Sequence, residues 1–137
     1  MKHMEETSHV LEFRLGSGEY CIDIEYIEEV VEREKNGLTQ LPNAEAHVAG
    51  VMDLRGETTP IIDPKKLLGL QAENGASRII VLETENGSKR SVGWLVDEVN
   101  EVSTVAEESV ENPGEDDELV RGVINHGDEF VIWVEPE

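Results

Sequence analysis

A chain of 137 residues with 38% hydrophobic side chains suits one compact domain and carries enough apolar material for a core, which excludes wholesale disorder. Its 31 acidic residues against 11 basic ones give a formal net charge of −20 at pH 7, which excludes a phosphate-binding surface for nucleic acid and disfavours an anionic membrane. Aromatics make up only 4%, so Val, Ile and Leu must build the core, and the β-branched ones favour strands.

Strands dominate in chain order. Val10, Leu11, Phe13 and Leu15 give a mostly alternating run closed by Gly16-Ser17-Gly18, and Tyr20, Ile22 and Ile24 alternate as the return strand of a hairpin. The period then changes. Ile24, Ile27, Val30 and Val31 fall at helical spacing with glutamates between them, which predicts a short amphipathic helix or turn ended by Asn36-Gly37. Leu38 to Pro42 is a brief extended piece. Val48 to Leu54 and Thr58 to Asp63 read as strands about an Arg55-Gly56-Glu57 turn, with Pro60 marking an edge or a bulge. Pro64 at a first helical position and Gly69 as a stop predict one helical turn, followed by a polar linker over 71–76.

Ile79 to Glu85 and Ser91 to Val96 are strands flanking Asn86-Gly87, the strongest short hairpin signal. Val99 and Val102 follow at helix-like or turn spacing. The acidic stretch 106–118, containing Asn112-Pro113-Gly114, predicts a mobile loop. Leu119 to Ile124 and Phe130 to Val134 are the last two strands, joined by a turn at Asn125 to Asp128.

Two segment pairs match at one offset. Ile24 to Val30 resembles Val96 to Val102, and Gly50-Val51-Met52-Asp53 resembles Gly122-Val123-Ile124-Asn125, each 72 residues apart (96 − 24 and 122 − 50). A shared offset points to internal duplication. Either unit alone is too small to bury a sufficient core, so the pair is expected to pack as two five-stranded barrels with a joint core and a groove along the seam.

The segment Gly50-Val-Met-Asp-Leu-Arg-Gly-Glu-Thr-Thr-Pro-Ile-Ile-Asp63 resembles the central signature of the CheW family. Tyr20 to Val30 is similar to that family's first hairpin and short helix, and Val92-Gly-Trp-Leu-Val-Asp-Glu-Val99 to its Gly-Leu-Val-Val-Asp-x-Val element. The resemblance implies an all-β fold of two SH3-like five-stranded β-barrels packed together with short helical turns. It also implies one CheW-like domain over 9–134, with approximate sub-barrels 20–75 and 76–125 completed by the terminal strands. It implies no catalysis and no cofactor. The partners it implies are the regulatory domain of a CheA-type histidine kinase and the cytoplasmic tips of chemoreceptors. Carried over by position, Ile27, Glu29 and Arg55 are the receptor or kinase contact candidates, and Gly50, Gly56 and Gly122 are structural support. The chain departs from the pattern at Asp53, where Asn is usual, at Pro64, where Leu is usual, and in ending at Glu137 where many relatives add a helix.

Each candidate has a second reading. Arg55 can fork onto a partner's carboxylate or helix-end carbonyls, or pair internally with Asp53, Glu57 or Asp63. Glu29 is a contact or a solvated face, and Ile27 a groove residue or core. The glycines suit turns and close packing, and Trp94 and Trp133 fill the cores or anchor a partner. His3, His9, His47 and His126 have no metal-ligand spacing, and nucleophile elbow, P-loop and dinucleotide motifs are lacking, so enzyme readings fare poorly. Glu115 to Glu118 reads as a solvated acidic run rather than a cation loop. Cys21, the single cysteine, is expected to be a buried, inert thiol. The polar Met1 to Ser8 has no signal-peptide core and no stretch approaches a membrane span, so a cytoplasmic location without direct membrane insertion is expected. The charge exceeds what ordinary solubility requires and suits molar salt, as in extreme halophiles. An adaptor for another kinase pathway, such as surface motility, fits the same residues. A small-ligand β-barrel is a further alternative, against which barrels this small are filled by their own side chains.

Overall fold

A computed structural model describes residues 7–33, 37–70, 75–84, 90–112 and 119–136. The expected turns at Asn36, Asn86-Gly87 and Pro113-Gly114, the 71–74 linker and the Glu115 to Glu118 run lie outside them. The strands are β1 (Thr7–Leu15), β2 (Gly18–Asp23), β3 (Ile27–Glu32), β4 (Val48–Leu54), β5 (Glu57–Ile62), β6 (Arg78–Thr84), β7 (Arg90–Val96), β8 (Glu98–Ala106), β9 (Val110–Glu111), β10 (Val120–His126) and β11 (Glu129–Val134). One helical turn, α1 (Pro64–Leu67), follows β5. Asp63 caps it by accepting from the Lys65 N–H at 3.1 Å, and Pro64 begins it, as its sequence predicts.

The chain makes two sheets, ordered β8-β1-β2-β11-β10-β9 and β3-β6-β7-β5-β4. Residues from both ends of each order share a core, Val105 with Val110 in one and Val31 with Met52 in the other, so each sheet curls back on itself, consistent with SH3-like barrels. The duplication is visible strand for strand. Adding 72 to the bounds of β4 (48–54) and β5 (57–62) gives those of β10 (120–126) and β11 (129–134). The register shift between Val48 and Gly50 recurs between Val120 and Gly122. The bridge Thr39↔Val51 recurs as Glu111↔Val123, which is why one sheet has six strands and the other five. The parallel pair Ile61↔Gly93 recurs as Trp133↔Cys21.

That last equivalence shows how the chain is divided. The β1–β2 hairpin occupies in one sheet the place of β6–β7 in the other, so the N-terminal hairpin completes the C-terminal unit. Strand membership therefore differs from a division at 75/76: the five-stranded sheet runs from Ile27 to Val96 without interruption.

Each sheet encloses its own core. Val10, Cys21, Val105, Ile124, Val131 and Trp133 fill one, and Met52, Leu54, Ile61, Ile79, Val81 and Leu95 fill the other. A third cluster joins them, with Phe13, Leu15, Tyr20 and Ile22 from one sheet against Ile80, Leu82, Trp94 and Val96 from the other. Phe13 stacks on Tyr20 at 6.0 Å and meets Trp94 edge-on at 6.5 Å, tying the sheets through their aromatic residues. Burial raises the Cys21 thiol pKa to about 12, with Glu12 and Asp23 adding to it.

Four expectations are corrected. Of the expected helix or turn over 24–31, the structure has a 3-10 turn at Ile24–Tyr26, capped by Asp23, and Ile27–Glu32 is a strand paired with β6. Val99 and Val102 lie in the nine-residue strand β8. The proposed loop at 106–118 begins with a 3-10 turn at Glu107–Ser109 and the short strand β9. Pro60 lies in an interior strand rather than an edge. Pairing of β5 with β7 begins at Ile61, so the missing N–H is not called on, and the nearby shift between Val48 and Gly50 is in β4.

Candidate functional site

The β4–β5 hairpin turns at Arg55-Gly56, with φ of 55° and 80°, the combination a type I′ turn requires. Asp53 supports it by accepting from the Gly56 N–H at 3.0 Å. Gly50 has φ 154°, and a side chain there would be driven into the Thr39 carbonyl oxygen. At the equivalent Gly122 a side chain would meet Val110 Cγ1. These glycines hold strands close together, whereas Gly56 has open space around it and serves the turn alone.

Curling of the five-stranded sheet brings this turn to β3 at the far end of the strand order. Arg55 Nη2 donates to Glu29 Oε1 at 2.8 Å, so the cation and the acid meet across the closure. Neither Asp53, Glu57 nor Asp63 is the partner seen for Arg55: Asp53 and Asp63 serve as caps. The Arg55 side chain remains 75% exposed and Glu29 25%, leaving guanidinium donors free of Glu29 facing solvent. Glu28, Glu57, Thr59, Ser91 and Val81 complete an open cleft of about 400 Å³, and Ser91 Oγ donates to Glu28 Oε1 at 3.0 Å. Ile27 is half-buried and packs on the joint core. The cleft offers hydrogen-bond donors on a fixed turn and carboxylate acceptors beside them. That is chemistry for docking a polypeptide.

The outer face of the six-stranded sheet differs. Phe130 is 61% exposed, and with Ile132, Val123 and Glu111 it forms a shallow apolar surface. Sequence reading missed it, although alternation held the signal: Val131 and Trp133 face the core of their own sheet, so Phe130 and Ile132 face away from it, Phe130 exposed and Ile132 half-buried against the joint cluster. Trp133 is fully buried, with Arg121 stacked 4.2 Å over its ring; Arg121 also pairs with Glu107 at 2.7 Å. Lys65 is 2% exposed and bonded to Asp97. Among the described residues no group of three or more His, Cys, Asp or Glu is placed to hold a metal, and no helix is long and apolar enough to cross a membrane.

A model of the CheW-like domain matches residues 9–137. The chain belongs to the CheW-like domain family. Similar proteins named chemotaxis protein CheW include one from Rhizobium meliloti (strain 1021), 34% identical over 102 residues, and one from Bacillus subtilis (strain 168), 34% identical over 105. The matches cover 74% and 75% of this chain and 64% of each relative, so the chain spans just under two thirds of their length. A solved structure of the scaffolding protein TtCheW from Thermoanaerobacter tengcongensis has a TM-score of 0.84 at 29% identity, covering 96% of this chain and 91% of that one. In this CheW-like chain the signature Gly50 to Asp63 is the β4–β5 hairpin with the cap of α1. Gly50, Asp53, Gly56 and Asp63 each have a structural task in it, and Arg55 is the residue the backbone does not require.

Proposed function

We propose that the chain is a non-enzymatic chemotaxis adaptor that joins a CheA-type histidine kinase to chemoreceptors. The observation that carries this is the pairing of two unlike exposed surfaces on one closed, side-chain-filled scaffold of the CheW-like family. The Arg55–Glu29 cleft and the adjoining seam at Ile27 take the receptor's helical tip, with Arg55 supplying donors and Glu29 orienting it. The apolar face at Phe130 and Ile132 takes the kinase's β-rich regulatory domain. Residues 9–134 act as one unit of two sub-barrels. The chain works in the cytoplasm and reaches the receptor arrays through protein contacts alone. A net charge of −20 supports a setting of molar salt, in which apolar contacts carry affinity because long-range attraction is screened.

Co-elution with a CheA-type regulatory domain, in about 2–3 M KCl to screen the charge, tests the adaptor role. A stable 1:1 complex is expected. A folded chain that elutes alone would move the function to an adaptor for a different kinase pathway.

A further inference from the structure

The chain crosses between its sheets twice, and the two crossings are built differently. The first, Ile24–Tyr26, is a surface 3-10 turn with no buried residue. The second is Asp97, the single residue between β7 and β8, and it is 8% exposed. Its backbone N–H donates to Arg14 O at 3.0 Å on β1, and its carbonyl accepts from Ser77 Oγ at 3.2 Å beside β6. Its carboxylate accepts from the Gly16 N–H in the β1–β2 turn and from Lys65 Nζ at 3.0 Å on α1. Asp97 thus takes bonds from both sheets. Its equivalent by the duplication, Glu25, is exposed (97 − 72).

Lys65 and Asp97 are the buried charged residues among the described positions. An ion pair taken out of water gains little over a well-packed apolar pair of similar volume, so stability alone does not account for it. Lys65, carried by α1 after the five-stranded sheet, holds the carboxylate of the crossing residue while the Gly16 N–H and Arg14 O of the other sheet hold the same residue, and a buried charge that must keep all these partners admits few relative positions of the two sheets. We infer that Lys65 and Asp97 are positioning residues that fix the angle between the two sheets, and with it the angle between the two docking surfaces. The functional consequence rests on the adaptor reading: with the pair removed, each partner still binds and the geometry linking them is lost.

The test is the distance distribution between spin labels at Thr58→Cys and Glu129→Cys, one on each sheet; the buried Cys21 is protected from labelling. No partner is needed, so the outcome is independent of whether the adaptor reading holds. The parent is expected to give one narrow distribution. The double variant Lys65→Met with Asp97→Asn, which leaves no charge unpaired, is expected to fold with the same circular dichroism and a distribution about twofold wider. Lys65→Arg, which keeps the charge on a longer fork, is expected to shift the mean distance without widening it. An unchanged distribution in the folded double variant overturns the inference. So does failure of the double variant to fold together with an unshifted Lys65→Arg, because the pair would then serve stability and not angle.

Discussion

Arg55 occupies a backbone position that costs an L-residue roughly 1–2 kcal/mol, while its equivalent in the second unit is Gly127, at φ 70° (55 + 72). The exposed ion pair to Glu29 returns about 0–1 kcal/mol, so the fold gains nothing from an arginine there. Strain of this kind persists where function holds it. Arg55→Gly is therefore expected to leave the urea midpoint unchanged or raise stability by about 1 kcal/mol. Binding to a receptor-tip peptide hairpin should fall at least about tenfold. A clear loss of stability with binding intact would reverse this assignment. Family resemblance pointed to Arg55 and Glu29, but their pairing was not legible. It depends on sheet closure, and the spacing over residues 24–31 pointed to a short helix or turn where β3 begins. The burial of Lys65 was not legible for a simpler reason: a lysine is ordinarily on the surface, and only the fold brings Asp97 to it.

At the scale of elements, most strands were readable, and the two that follow the crossings between sheets, β3 and β8, were not. Register shifts interrupt β3 between Ile27 and Glu29 and the β1–β8 pair between Leu11 and Phe13. Val30 and Val102, equivalent by the offset of 72, lie on outward faces at 40% and 53% exposure. Apolar residues on both faces of a bulged strand mimic the three-to-four spacing of a helix. Among the glycines, Gly50 and Gly122 lie against neighbouring strands, whereas Gly56 serves its turn. Gly50→Ala should cost about 2–4 kcal/mol, combining a disfavoured φ with overlap on rigid backbone. Gly122→Ala meets the Val110 side chain and, less closely, the Glu111 carbonyl oxygen, but has no positive φ, and should cost less, about 1–3 kcal/mol. Denaturant melts of the two variants check the order, and equal or reversed costs would contradict the stated difference.

The whole molecule is a duplication in which the N-terminal hairpin closes the C-terminal unit. The offset was visible in sequence; the exchange was not, because β1–β2 and β6–β7 correspond in topology while their residues differ. Charge also acts at this scale. Burial, and then the neighbouring carboxylates Glu129 and Glu12, raise the pKa of Glu19, a local sign of acidic crowding. With a net charge of −20, the thermal midpoint is expected to rise steadily from dilute buffer to molar KCl, and a midpoint independent of salt would remove the molar-salt reading. The central claim is that one scaffold holds two partners at once. It is tested most directly by sedimenting receptor signalling-domain assemblies with a CheA-type kinase, with and without this chain, in the same salt. The account predicts kinase in the pellet only when the chain is present; kinase that pellets equally without it, or a chain that binds one partner only by releasing the other, would contradict it.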